Sequence, residues 1–215
     1  MILHTDPQGS EAWLAARRGV ITASRFKDAR DKLKSGKPSG KSDAYAFDLA
    51  RERAGGLPPR VFVNDAMRTG TEQEPRARLA YETQTGNTVT EAGFITDDDR
   101  QFGVSVDGLV DDDGIVEIKT MVSSATLFTA AVYGDISEYL DQCIGAMWLL
   151  DRQWCDLILW APDLPEDHPR RMTVIRITRD VDQIAALEAD LTEFWRRVAK
   201  LAEDLTPAAA ELLAA

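Results

Sequence analysis

Two β-strand patterns on either side of an acidic turn, between residues 105 and 119, constrain the fold of this chain more than any other feature. Aspartate and glycine mark the turn at 111–114, and the flanking residues are apolar at alternate positions, which predicts an antiparallel hairpin. Alternate residues of a strand share a face, so Glu117 and Lys119 point together. Folding the hairpin about its turn brings Asp107 opposite Glu117. The sequence therefore predicts two carboxylates and an ammonium on one face.

Charges grouped in this way need compensation, because the second strand is otherwise apolar and isolated buried carboxylates are costly. A divalent cation is the usual compensation. Asp107, Glu117 and the backbone carbonyl of Ile118 would leave positions on Mg²⁺ open for water and phosphate oxygens. Lys119 would then orient the attacking water or stabilise its deprotonated form. The arrangement suits metal-assisted hydrolysis of a phosphodiester, although the motif taken alone favours a solvated hairpin with an ordinary surface Glu–Lys pair.

The order of helix and strand patterns along the chain predicts an α/β (α+β) fold with a mixed central β-sheet flanked by helices. We expect one domain over residues 1–205 and a frayed C-terminal tail over 206–215. Helices are predicted after the N-cap Ser10 and over 22–33, 43–54, 64–86, 123–134, 137–151 and 184–205. Strands are predicted over 87–96, 101–110, 114–120, 153–161 and 171–178.

Two of these helices leave a choice open. Thr71 and Glu74 match a capping box, so a helix that starts there would tolerate Pro75 in its first turn. A helix that starts earlier would be kinked by Pro75. The last helix repeats apolar residues at three- and four-residue spacing, which is compatible with a coiled-coil seam. Because the seam would be short, an amphipathic helix docked on its own domain is favoured.

The charge of the chain is uneven, and this bears on any nucleic-acid hypothesis. Lys and Arg number 25 against 36 Asp and Glu, a net charge of −11 that argues against binding a polyanion. Residues 1–60 nevertheless hold twelve Lys and Arg against seven Asp and Glu, and residues 61–215 hold thirteen against twenty-nine. A Gly/Ser/Pro-rich basic loop is predicted over 34–42, in the positive part. If the substrate is a nucleic acid, we expect this region to contact it, through Lys32, Lys34, Lys37 and Lys41.

The two cysteines, Cys143 and Cys155, are too few for a disulfide framework, a zinc cage or an iron–sulfur cluster. The N-terminal sequence lacks the pattern of a secretion signal. No stretch approaches the roughly 18 uninterrupted apolar residues of a membrane span. We expect a soluble cytoplasmic protein in a reducing compartment, without membrane contact.

Four blocks of sequence, spread over about residues 8–200, occur in the order found in one nuclease family. They are Glu11-Ala12-Trp13 with residues 17–24 (RRGVITAS); residues 70–75 (GTEQEP) with Ala77-Arg78, Tyr81-Glu82 and 91–95 (EAGFI); Ser105-Val106-Asp107-Gly108 with Glu117-Ile118-Lys119; and residues 139–142 (YLDQ) with Met147-Trp148. With these blocks the chain resembles the lambda-exonuclease-like (YqaJ-type) viral recombinase nucleases, a branch of the PD-(D/E)XK superfamily. Val106 stands where the superfamily name has proline. That residue is not a ligand, so no role is affected.

The resemblance implies a PD-(D/E)XK restriction-endonuclease-like fold and gives roles to individual residues. Asp107 and Glu117 correspond to metal ligands, and Lys119 to the catalytic lysine. Glu74 is similar to the glutamate on a helix that reaches the metals directly or through water. The positions that hold the terminal 5′-phosphate in this family are matched by Arg17, Ser24, Ser105 and Gln142. Arginine binds phosphate through two parallel hydrogen bonds, and a serine near a helix N-terminus suits the same anion.

Each of these residues also has a simpler explanation. Ser24 would be an N-cap, Arg17 a surface arginine over Trp13, Glu74 part of the capping box, Ser105 a small solvated strand residue, and Gln142 a satisfied polar group at the edge of the core. The four blocks together, rather than any single residue, favour the active-site interpretation.

The family implies Mg²⁺-dependent hydrolysis, with Mn²⁺ as a substitute and one or two ions in the site. It implies 5′-to-3′ exonuclease activity on linear double-stranded DNA, with a preference for 5′-phosphorylated ends and 3′ overhangs left for phage-type homologous recombination. It also implies a ring-shaped homotrimer, a phage single-strand annealing protein as partner, and a phage or prophage origin with the protein in the bacterial cytoplasm. Two alternatives stay open: a restriction- or repair-type endonuclease of the same superfamily, and a non-catalytic DNA-binding or assembly module.

Overall fold

The structure is a computed structural model that describes residues 1–59 and 64–206. The helices are α1 (Glu11–Arg17), α2 (Phe26–Arg30), α3 (Gly40–Arg53), α4 (Asp65–Thr85), α5 (Ser124–Thr126), α6 (Leu140–Leu150) and α7 (Val181–Asp204). A 3-10 turn covers Ala23–Arg25 and a π-helical turn covers Leu127–Val132. The strands are β1 (Ile2–His4), β2 (Ile21–Thr22), β3 (Val89–Thr90), β4 (Phe94–Thr96), β5 (Phe102–Val104), β6 (Gly108–Val110), β7 (Gly114–Thr120), β8 (Trp154–Trp160) and β9 (Met172–Thr178).

Two mixed sheets organise these elements. The larger sheet has the order β3-β6-β7-β8-β9, in which β7 and β8 are parallel and the other neighbours antiparallel. The smaller sheet has the order β1-β4-β5-β2, in which β5 and β2 are parallel. Helices pack on both faces of the larger sheet, which confirms the predicted mixed α/β fold.

The core lies on both faces of the two central strands, β7 and β8. One face packs against α2, α3, α6 and α7. On the other face, Val116 and Ile118 pack against Ala77 and Tyr81 of α4. Since successive strand residues alternate between faces, Glu117 points away from α4 and toward α6, which is the arrangement that the sequence predicted.

Helix α4 begins before Thr71, so the predicted capping box is wrong. Asn64 is the N-cap, and its side chain accepts a hydrogen bond from the Met67 N–H at 2.9 Å. Thr71 lies inside the helix and donates its hydroxyl to the Met67 carbonyl at 3.3 Å. Pro75 is therefore an interior residue that cannot donate to the preceding turn. Glu74 consequently loses its explanation as part of a cap.

The strand predicted over 101–110 is two strands in different sheets. β5 pairs with β4 in the smaller sheet, whereas β6 starts at Gly108 and pairs with β7 in the larger one. The chain crosses between the sheets at residues 105–107, which belong to no strand. At this crossing the Asp107 carboxylate accepts the Ile118 N–H at 2.6 Å, and the pairing of β6 with β7 ends.

Two helix boundaries near the N-terminus also differ from the prediction. The segment predicted as one helix over 22–33 is the 3-10 turn followed by α2, which ends at Arg30. Helix α3 starts at Gly40 rather than at residue 43. The reason is Ser39, whose hydroxyl accepts hydrogen bonds from the next N–H groups and so caps the helix earlier.

The last helix is docked on the rest of the protein, as predicted. Leu187, Leu191 and Val198 of α7 are fully buried in the main core. From residue 207 onward the predicted tail lies outside the described residues. Within the described ranges, no helix combines the length and apolar character needed to cross a bilayer.

Candidate active site

A pocket of about 200 Å³ contains seven of the residues singled out from the sequence. They are Arg17, Ser24, Ser105, Asp107, Glu117, Lys119 and Gln142. The fold gathers them from α1, the 3-10 turn, the 105–107 crossing, β7 and α6. A larger cavity of about 760 Å³, between α4 and β9, contains none of them.

Asp107 enters the pocket from the crossing between the two sheets. Gly108 lies opposite Val116 in the register of β6 and β7, so Asp107 comes opposite Glu117 as predicted. Its Oδ2 accepts the Ile118 N–H at 2.6 Å. Because the N–H and C=O groups of one strand residue point to the same edge, the Ile118 carbonyl also faces the Asp107 side. The two carboxylates and this carbonyl form the candidate cation site.

Glu117, Lys119 and Gln142 form a closed triangle of contacts. The Lys119 ammonium lies 2.8 Å from Glu117 Oε1 and donates to Gln142 Oε1 at 2.9 Å. The Gln142 amide nitrogen donates to Glu117 Oε1 at 2.5 Å. Glu117 is only 3% exposed. The carboxylate of the Glu–Lys pair is therefore buried and its ammonium is half-buried, so the solvated surface pair considered from the sequence does not describe it.

Burial raises the pKa values of the two carboxyl groups in this site. It raises the pKa of Glu117 to about 7, against the opposing Lys119 ammonium. Burial also raises the pKa of Asp107, against the Ile118 N–H and the Lys119 charge. For Lys119, burial acts to lower the pKa, but the neighbouring negative charges of Glu117 and Asp107, with the hydrogen bond to Glu117, together raise it. The positive charge of Lys119 therefore does not offset the burial of the two carboxylates. Lys119 itself keeps its proton at neutral pH.

The carboxylates fit a divalent cation. Glu117 Oε2 is a buried acceptor that has no hydrogen-bond partner among the described residues, and such an atom needs a cation or water. In residues 1–59 and 64–206, no three acidic, histidine or cysteine side chains converge closely enough to hold a metal by themselves. Mg²⁺ is commonly bound by one or two carboxylates, with water and substrate oxygens in the other positions. Asp107, Glu117 and the Ile118 carbonyl offer that kind of ligand set.

The raised pKa of Glu117 predicts a pH-dependent cation affinity. A cation must displace the proton that this carboxyl holds below about pH 7. We expect Ca²⁺ and Mg²⁺ affinity to be constant above that pH and to fall about tenfold per pH unit below it. Titration calorimetry on either side of neutrality measures this, with Asp112→Asn in the exposed β6–β7 turn as the control. Equal affinity on both sides would contradict the assignment of Glu117 as a ligand.

Glu74 faces a second pocket of about 470 Å³, which has Asp107 in common with the first. Its carboxylate pairs with Arg78 at 2.7 Å, and Arg78 also binds Glu91. Burial raises the pKa of Glu74, and the Asp107 charge acts in the same direction. The Glu74 carboxylate is therefore close enough to Asp107 for their charges to interact. In this structure Arg78 balances the charge of Glu74.

Arg17 presents a charged group to the small pocket. Its guanidinium lies 4.4 Å from the Trp13 ring centroid and 4.9 Å from that of Phe94. Its Nη1 is 3.5 Å from Ser105 Oγ. Burial lowers the pKa of Arg17, and no carboxylate of the described residues pairs with it. The stacking on Trp13 expected of a surface arginine is present, and it leaves the guanidinium available for a phosphate.

Ser24 is not a helix cap. Thr22 and Arg25 occupy the N-cap positions of the 3-10 turn and α2, and neither makes a side-chain cap bond. The Ser24 side chain is exposed and lines the pocket beside Thr22. The four pocket residues predicted to bind phosphate, Arg17, Ser24, Ser105 and Gln142, are termed the end pocket below. Their phosphate-binding role stays a prediction.

The four lysines predicted to contact DNA do not line this pocket. Lys32 pairs with Asp190 at 2.9 Å and lies 3.8 Å from Glu193, so its charge is partly balanced within the protein. Lys34, Lys37 and Lys41 are exposed. Contact between these side chains and DNA stays a prediction.

Two residues of the site region were given no role from the sequence. Arg78 lies four positions after Glu74, a spacing that places both on one helix face and could have identified it. Gln8 lines both pockets from the loop before α1, and no local pattern marks it.

The YqaJ-like viral recombinase domain family matches residues 12–153 of the chain. Two crystal structures of the alkaline exonuclease LHK-Exo from Laribacter hongkongensis are similar, one of them in complex with dAMP. They are 35% identical to this chain, cover 94% of it and 100% of their own chains, and have TM-scores of 0.82 and 0.83. No curated protein matches the sequence significantly.

A phage-related exonuclease from Haemophilus somnus 129PT shares the fold. It has a TM-score of 0.72 at 17% identity, over 87% of this chain and 96% of its own. The mixed sheets and helices are thus those of the PD-(D/E)XK-like alkaline exonucleases, as predicted. With a family match over residues 12–153 and similarity to LHK-Exo over almost its whole length, the chain belongs to the YqaJ-like viral recombinase domain family.

Proposed function

We propose that this nuclease is a Mg²⁺-dependent 5′-to-3′ exonuclease that acts on linear double-stranded DNA and prefers 5′-phosphorylated ends. The observation that carries the proposal is that the end pocket and the candidate cation site share one cavity of about 200 Å³. A terminal phosphate bound by the end pocket would lie beside the residues suited to hydrolysis. The similarity to an alkaline exonuclease crystallised with dAMP, a deoxynucleoside monophosphate, supports this.

Each of the site residues would have a different role in hydrolysis. Arg17 would bind phosphate oxygens through parallel hydrogen bonds. Asp107 and Glu117 would hold the cation, which when bound polarises the phosphate and lowers the pKa of a water molecule. Because its pKa is raised, Lys119 would stabilise negative charge on the attacked phosphate as a cation rather than accept a proton.

Further properties of the proposal rest on the family resemblance. Mn²⁺ would substitute for Mg²⁺, and Glu74 would reach one of two ions once it leaves Arg78. Strand removal would leave 3′ overhangs for recombination. The protein would act as a homotrimeric ring with a phage single-strand annealing protein as partner.

Digestion of end-labelled linear DNA and of the same plasmid as a covalently closed circle, with and without Mg²⁺, tests the function. We expect Mg²⁺-dependent release of mononucleotides from 5′-labelled linear duplex, and an intact circle. Cutting of the circle would indicate an endonuclease. Binding of DNA without any hydrolysis would indicate a non-catalytic module.

Arg17→Met is expected to weaken the affinity for 5′-phosphorylated DNA by about tenfold or more, while the affinity for 5′-hydroxyl DNA changes little. The affinity for phosphorylated DNA falls because a charged hydrogen-bond donor to the terminal phosphate is lost. The affinity for 5′-hydroxyl DNA changes little because other residues contact the rest of the duplex. Fluorescence anisotropy with both duplexes in EDTA measures this. An unchanged preference for 5′-phosphorylated DNA would exclude Arg17 as a residue that binds the terminal phosphate. Arg68→Met, an exposed arginine in the first turn of α4, is the matched control.

A further inference from the structure

The orientation of the Gln142 amide is dictated by its two neighbours. An ammonium can only donate hydrogen bonds, so Lys119 Nζ at 2.9 Å must face the amide oxygen. The amide nitrogen is then left to donate to Glu117 Oε1 at 2.5 Å. A flipped amide would lose both contacts. Gln142 therefore connects the ammonium and the carboxylate, and its position depends on theirs.

The same amide reaches into the end pocket. A glutamine side chain has two N–H donors, and one of them is used by Glu117. The other has no acceptor among the described residues. Gln142 lines the cavity together with Arg17, Ser24 and Ser105, so an anion bound by those residues would accept this second N–H. Phosphate and Glu117 would then hold the amide nitrogen from two sides.

The backbone that carries Gln142 is firmly attached. The neighbouring residue Asp141 pairs with Arg30 at 2.6 Å, and the same guanidinium pairs with Asp190 of α7 at 2.9 Å. These partly buried ion pairs tie the first turn of α6 to α2 and α7. A hydrogen bond from the Gln142 amide to a bound phosphate would therefore shift the side chains of Glu117 and Lys119 rather than helix α6.

We propose that Gln142 is a positioning residue that links occupancy of the end pocket to the alignment of Glu117 and Lys119. The terminal 5′-phosphate then accelerates cleavage in the bound complex, in addition to strengthening binding. This rests on the proposed function, and it adds that the end group selects substrates through the rate of hydrolysis. Small misalignments of reacting groups cost about 100-fold in rate, which makes such a link effective.

Single-turnover hydrolysis with saturating enzyme tests the link, using duplexes that differ only in a 5′-phosphate or 5′-hydroxyl. We expect the wild-type protein to cleave the phosphorylated duplex at least about tenfold faster at saturation. In Gln142→Met, which keeps the size of the side chain without its polar groups, this rate ratio should fall below about threefold. Binding in EDTA, measured by anisotropy, should lose at most about tenfold of the phosphate preference, because one hydrogen bond to the phosphate is removed while Arg17 still holds it.

Arg17→Met is the matched comparison, because it should reduce the binding preference and leave a rate difference at saturation. Gln142→Asn, whose shorter amide cannot span both partners, repeats the test if the Met variant has a lowered melting temperature. Equal saturated rates for the two ends in the wild type would overturn the inference while leaving a binding preference, and so the proposed function, intact. A rate ratio retained in both Gln142 variants would overturn it as well. Absence of any phosphate effect on wild-type binding or rate would instead overturn the proposed function.

Discussion

Lys119→Met is expected to slow Mg²⁺-dependent hydrolysis of linear duplex DNA by about 1,000-fold, with the fold retained. Lys119 contributes a half-buried positive charge beside Glu117, and its raised pKa keeps that charge at the pH of the reaction. Methionine has a similar length and no charge, so the stabilisation of the attacked phosphate is lost without a large change in packing. Release of labelled mononucleotides under single-turnover conditions measures the effect.

Matched variants separate the lysine from the two carboxylates. Asp107→Asn and Glu117→Gln should lose hydrolysis to a similar extent and also lose cation binding by calorimetry, whereas Lys119→Met should keep cation binding. Lys200→Met, an exposed lysine near the end of α7, should behave as the wild type. Cleavage within about tenfold of the wild type by Lys119→Met would exclude this lysine from the mechanism.

The central part of the candidate site was predictable because it is local in sequence. A short acidic turn sets the register that pairs Gly108 with Val116, and this register brings Asp107 opposite Glu117. The alternation of strand faces then places Lys119 beside Glu117. None of these steps requires knowledge of distant contacts, and the buried triangle with Gln142 is what their combination produces once α6 packs on β7.

Features that depend on distant partners were not predictable in the same way. The alternating pattern over 101–110 is compatible with one long strand, and only the pairing of β5 with β4 in the other sheet shows that it breaks. Thr71 and Glu74 form a cap pattern as good as that of Asn64, and Ala77 and Tyr81 would pack on the sheet with either start, so the sequence does not select the Asn64 cap over the later one. Tertiary pairing decided the first case, and the choice between two local caps decided the second.

The net charge of −11 is an average over the whole chain and does not describe the charge at the candidate site. Asp107 and Glu117 line the candidate cation site, Glu74 lies in the neighbouring pocket, and all three have raised pKa values because burial disfavours their charged forms. Asp190 and Glu193 lie against Lys32 on the protein surface. Arg17, in contrast, carries an unbalanced charge at the pocket. Local pairing, rather than the sum, decides where an anionic substrate is attracted.

Helix α4 is attached to the sheet by a buried polar network, and this attachment bears on where Glu74 lies. Asp156 of β8 is 2% exposed and accepts hydrogen bonds from the Tyr81 hydroxyl at 2.8 Å and from two Arg176 nitrogens at 2.8 and 2.7 Å. Burial, with Asp156 as acceptor, raises the pKa of Tyr81 to about 12, so the hydroxyl remains a donor. Asn87 donates to the same hydroxyl at 2.8 Å. Tyr81 and Glu74 belong to one helix, so the network fixes both.

Asp156→Ala is expected to lower the free energy of unfolding by about 3 kcal/mol, which corresponds to roughly 10 °C in melting temperature. The substitution leaves the Tyr81 hydroxyl and the Arg176 guanidinium without their shared acceptor and opens a cavity between α4 and β8. Urea unfolding followed by tryptophan fluorescence measures the change, and Asp112→Ala in the exposed turn should alter stability by less than about 0.5 kcal/mol. Tyr81→Phe removes one hydrogen bond and keeps the ring, so it should cost only about 1 kcal/mol. A stability of Asp156→Ala equal to that of Asp112→Ala would mean that apolar packing alone holds α4 on the sheet, and Glu74 would then owe its position to Ala77 and the Tyr81 ring.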